Sequence, residues 1–84
     1  MSDTPTPNFS MLVMSIASSA AMALGLAPHP QSGKTEIDRG MARFNIDLLI
    51  MLQGKTKGQL TKEEEQLLEH IVSDLQLKFI QQKT

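Results

Sequence analysis

Residues Phe9–Leu26 read FSMLVMSIASSAAMALGL, and the way this stretch must be buried decides the fold. Pro5 and Pro7 keep a helix from starting earlier, and Asn8 or Ser10 can cap one that starts at Phe9. Gly25 and the run Ala27-Pro28-His29-Pro30 stop it, so the spacing predicts a helix over about 9–26. At about 100° per residue, large apolar groups then appear on every side: Met14, Met11, Met22, Leu26, Leu12, Ile16, Phe9, Val13 and Leu24 together go round the helix. The four serines are scattered and build no polar face. One seam is narrow, because Ser18, Ala21 and Gly25 align with Ser10, interrupted by Met14. Small side chains along a seam let two helix backbones approach closely. A helix facing water hides one stripe and exposes the rest as polar surface; this one has no polar rest to expose.

Two further helices follow. Thr35-Glu36-Ile37-Asp38 resembles a capping box with Asp38 in place of Glu, which predicts a second helix over about 36–53, ended by Gly54. Ile37, Met41, Phe44, Leu48, Met51 and Leu52 form its main apolar stripe. Ala42, Ile46 and Leu49 lie opposite, so its latter half is apolar on two sides. Arg43 and Asp47, four apart, are placed to pair. Leu60-Thr61-Lys62-Glu63-Glu64 is a full capping box with a hydrophobic residue before the cap, and opens a third helix over about 62–82. Glu63, Glu64 and Glu65 suit the positive end of its dipole and Lys78 the other end. Its apolar face is a single stripe: Leu67, Leu68, Ile71, Val72, Leu75 and Phe79. Leu77 and Ile80 fall off that stripe. No segment alternates with the period of a strand.

The expected fold class is therefore all-α: three helices in one domain over 9–82, with residues 1–8 as a disordered tail and 83–84 as the end of the chain. An 84-residue chain buries only roughly 60% of its unfolded surface, and without cysteine it has no disulfides to compensate. Each large side chain left wet forfeits roughly 1.5–3 kcal/mol, against a total stability of about 5–15 kcal/mol. Two apolar sides on helix two, added to all of helix one, exceed what three helices can cover. The sequence thus predicts an intertwined homo-oligomer, most simply a symmetric dimer, with Met14, Ser18, Ala21, Gly25, Ile46 and Leu49 as interface residues.

Function is less legible. The net charge of −1 supplies no basic field, so nucleic acid is not expected as a partner. Ser32-Gly33-Lys34-Thr35 resembles the end of a phosphate-binding loop, but Pro28 stands where the first glycine belongs and no strand precedes it. His29 and His70 have no ligand at metal spacing, and no nucleophile, base and orienter occur together. Neither a cofactor, a metal nor an enzymatic activity is expected. Three readings remain. The first is a structural or adaptor protein that meets itself and an unknown protein partner. The second is an anion or phospholigand module using the turn Lys55-Thr56-Lys57-Gly58, where two lysines precede a helix start. The third is a membrane-associated protein, since 9–27 is uncharged for nineteen residues, about the length a bilayer requires.

A set of residues spread over the chain also carries a resemblance. Phe9, Ala23-Leu24-Gly25, Ala42-Arg43, Ile46-Asp47 and Leu49 are followed by Lys55-Thr56-Lys57-Gly58, Leu60-Thr61, Glu64-Glu65 and Leu68. Together, from about Phe9 to Ile80, they resemble the small bacterial family called domain of unknown function 1844. The most specific part is Lys-Thr-Lys-Gly-x-Leu-Thr-x-Glu-Glu; the family commonly has Asn after that glycine, and this chain has Gln59. The resemblance implies a bacterial, cytoplasmic protein and supplies no activity.

Overall fold

The computed structural model describes residues 8–28, 33 and 35–82. Three helices form: α1 over Phe9–Ala23, α2 over Arg39–Lys55 and α3 over Lys62–Gln81. Among the described residues there is no strand, only an isolated antiparallel bridge between Leu24 and Ile37. The expected tail before Asn8, together with His29, Ser32, Lys34, Lys83 and Thr84, lies outside the described residues.

Asn8 is the cap of α1, its side-chain carbonyl accepting from the Met11 amide at 2.8 Å. The helix ends three residues before the expected Leu26. Leu26 N–H donates to Ala21 O at 2.9 Å and Gly25 N–H to Met22 O at 3.1 Å, the paired bonds of a Schellman turn. Gly25 occupies the left-handed position at φ 77°, which a side chain strains to adopt.

The start of α2 differs from expectation by three residues. Thr35 does not cap it; Asp38 does, accepting from the Met41 amide at 3.1 Å. The cause is the chain just before it. Ile37 is held extended by its bridge to Leu24, and Asp38 N–H donates to Ala23 O at 2.8 Å. A residue whose backbone is committed to a bridge cannot also open a helix. At the far end α2 runs through Gly54 to Lys55, and the Thr56 hydroxyl donates to Leu52 O. The connector then turns at Gly58, φ 81°. The capping box of α3 forms as read: Glu64 N–H donates to Thr61 Oγ1 at 3.1 Å and Thr61 N–H to Glu64 Oε1 at 2.9 Å.

The core draws three residues from each segment: Val13, Ala20 and Leu24; Ala42, Ile46 and Leu49; Leu68, Val72 and Leu75. Ala20 and Ala42 are fully buried and keep α1 close to α2. Asn45 is the one buried polar residue among those described; its amide donates to Met41 O at 2.9 Å. Arg39 ties α2 to the end of α3. Its Nη1 donates to Gln82 O at 2.9 Å and Phe79 O at 3.3 Å, and its guanidinium lies 4.2 Å from the Phe79 ring centre. A cation there satisfies carbonyls that the helix end leaves open.

The result is a thin slab, 38 × 37 × 16 Å, with a radius of gyration of 13.8 Å. A compact chain of this length would have about 12 Å. With helices spaced about 8–10 Å apart, the short dimension holds no more than two layers, so each helix keeps an outward face.

Candidate interaction surface

The outward surface is where the apolar excess appears. On α1, Met11, Leu12 and Met14 are each between 44% and 48% exposed. Met14 lies beside Ser18, which is exposed, and near Ala21 and Met22, which are half-buried. These residues make an uncharged outer face rich in methionine, a side chain that adapts to irregular partners. Gly25 does not extend that seam. A Cβ on it would stand 2.9 Å from Ile37 Cγ1, so its open side is already covered by the same chain.

On α2 the expected directions are exchanged. Ile46 and Leu49, read as interface residues, are 4% and 0% exposed and lie in the core of the chain itself. No partner reaches them in this conformation. Most of the stripe read as the main one faces out instead: Met41 is 48% exposed, Phe44 54% and Met51 47%, with Leu48 half-buried between them, while Leu52 packs against the core. The reason lies in helix spacing. Ala42 lets α1 approach α2 closely, and Ile46 and Leu49 follow it on the same side; the bulkier Met41 and Phe44 would hold α1 off. Apolar periodicity alone does not distinguish the two stripes, because both have the helical period. Arg43 and Asp47 border the outer stripe and pair at 3.7 Å, both well exposed. On α3, Leu77 and Ile80 are exposed, as their position off the stripe implied.

The lysine turn makes a separate cleft of about 330 Å³ between the end of α2 and the start of α3. Leu60 and Leu68 line its apolar side, and Lys57 its rim together with Glu65 and Glu69. Lys55 does not line it. One ammonium against two carboxylates is a poor setting for an anion, and the Thr61–Glu64 box already occupies two backbone donors at the helix start. Of the turn, Thr56 and Lys57 line this cleft, and Lys55 and Gly58 do not.

No group of three or more metal-ligating side chains occurs among the described residues, and no helix among them is long and apolar enough to cross a membrane. With 15 residues, α1 spans about 22 Å, against a hydrocarbon core of about 30 Å.

With the surface described, comparison with known proteins adds one finding. The sequence model for the family described as Domain of unknown function (DUF1844) matches residues 6–81, nearly the whole chain. The chain belongs to this family. Neither the comparison with curated proteins nor that with solved structures returned a match. The DUF1844 match spans all three helices, the Asp38 start of α2 and the lysine turn, so both outer faces belong to the matched region. Its description assigns no activity to either face.

Sequence reasoning missed Arg39. Its partners are two backbone carbonyls some forty residues away and one ring. Main-chain carbonyls leave no trace in residue identity, so no local pattern could have found it.

Proposed function

We propose that the protein is a cytoplasmic, non-catalytic homo-oligomer that works as a structural or adaptor element through protein–protein contacts. The observation that carries this reading is the exposure of eleven large apolar side chains at 39% or more, from Met11 on α1 to Ile80 on α3. Single exposed apolar residues are ordinary on any surface. Contiguous faces on two adjacent helices, without one charged residue on α1, are the mark of a surface meant to be covered. Self-association is the simplest cover, because every copy carries the same faces at the same concentration.

Light scattering in dilute, detergent-free buffer tests the reading. A mass of at least twice 9.3 kDa is expected. A folded, stable species of 9.3 kDa at micromolar concentration would refute it.

A further inference from the structure

The outer stripe of α2 has a spacing of its own. Met41, Phe44, Leu48 and Met51 follow one another at three, four and three residues. That is the a/d repeat of a coiled-coil seam, here facing away from the core. It also reads the same from either end, with its centre at Ile46. Resting on the oligomeric reading above, we infer that this stripe is the self-interface, and that two copies pair through α2 in antiparallel register about a two-fold axis. Met41 then meets Met51 of the second copy, and Phe44 meets Leu48 of the second copy, giving four layers from two contacts that each occur twice. A two-fold interface requires such self-complementarity, and the antiparallel direction also sets the helix dipoles head to tail.

Area and charge agree with this occupant. Side chains of this size offer on the order of 200 Å², so exposures of 47–54% leave ~100 Å² on each of Met41, Phe44 and Met51. With Leu48 and the adjoining Ile37, two copies bury roughly 800 Å² of apolar surface. At an apolar share of about 65%, the whole interface is about 1,200 Å², the lower edge of the standard size for a stable complex. Gly40 and Gly54 lie just beyond the two ends of the seam and put no side chain there. Asp47 lies one residue from the axis, close to Asp47 of the second copy, and each carboxylate pairs with Arg43 of its own chain. The α1 face of Met11, Met14 and Ser18 stays open.

Because the protein has no cysteine, single cysteines report the register directly. Met41→Cys and Met51→Cys variants, each oxidised alone, should cross-link little; mixed, they should give the disulfide heterodimer as the main product. Phe44→Glu should raise the dimer dissociation constant about 100-fold or more, since the symmetry counts each buried charge twice, while circular dichroism keeps its helical signal. Arg43→Ala should weaken the dimer about 10-fold at low salt, with recovery on adding Asp47→Asn. A wild-type protein that is monomeric throughout overturns the oligomeric reading and this inference together. An oligomer that Phe44→Glu leaves intact, or in which each cysteine variant cross-links mainly to itself, overturns this inference alone.

Discussion

Helices α2 and α3 resemble each other in length and apolar content, yet they use that content differently. In α3 one stripe is apolar, and it turns Leu68, Val72 and Leu75 into the core; Glu63, Glu65, Asp74 and other polar groups face water. In α2 two stripes are apolar. Ala42, Ile46 and Leu49 enter the core, and Met41, Phe44 and Met51 do not. The difference teaches that an apolar stripe records a need for cover without saying what provides it. The one stripe of α3 is covered by its own chain, and only Leu77 and Ile80, which fall off that stripe, are its large apolar residues left exposed. A helix with two has one to spare.

The contrast between the two stripes of α2 can be broken most sharply at Leu49 and Phe44. Leu49→Ala removes a fully buried side chain and should destabilise the fold by about 2–5 kcal/mol, at every protein concentration. Phe44→Ala should cost less than about 1 kcal/mol in dilute protein and should remove the rise of melting temperature with concentration that an oligomer shows. Urea unfolding at several concentrations separates the two effects. Equal, concentration-independent losses would erase the distinction between the faces.

A smaller effect tests how the inner stripe is positioned. Gly25→Ala places a side chain at φ 77° and 2.9 Å from Ile37 Cγ1, and should destabilise by about 1–3 kcal/mol, measured by thermal unfolding. The Leu24–Ile37 bridge and the Asp38 start of α2 would shift with it. Wild-type stability in this variant would mean that the link between α1 and α2 does not fix the register of α2. Smaller again, Arg39→Ala removes two hydrogen bonds and the contact with the Phe79 ring. A loss of about 1–2 kcal/mol is expected, together with faster amide exchange in the last turn of α3. Arg39→Lys should recover part of the stability and little of the ring contact.

Much of this architecture was legible in the residues. The Asn8 cap, the Thr61–Glu64 box and the single face of α3 are local features, set by neighbours three or four positions away. The start of α2 was not legible, because the Leu24 bridge that delays it joins residues thirteen apart. The direction of the two α2 stripes was not legible either: periodicity gives the angle between faces, while their assignment depends on which one lets α1 come close. The lysine turn illustrates the same limit. Its two lysines are two residues apart, but only Lys57 lines the cleft, and Glu65 and Glu69 enter it from the next helix and change its charge.

Methionine methyl groups offer the most direct measure of whether the outer stripe is covered. Met41 and Met51 stand in it, half exposed in the lone chain, and Met11 and Met14 lie on the α1 face with similar exposure. With ¹³C-methyl methionine and a soluble paramagnetic agent, broadening reports solvent access at each site. Strong protection of Met41 and Met51 is expected at high protein concentration, lost on dilution or in Phe44→Glu. Methyl groups at Met41 and Met51 that broaden as fast as fully accessible ones, at every concentration, would contradict the account.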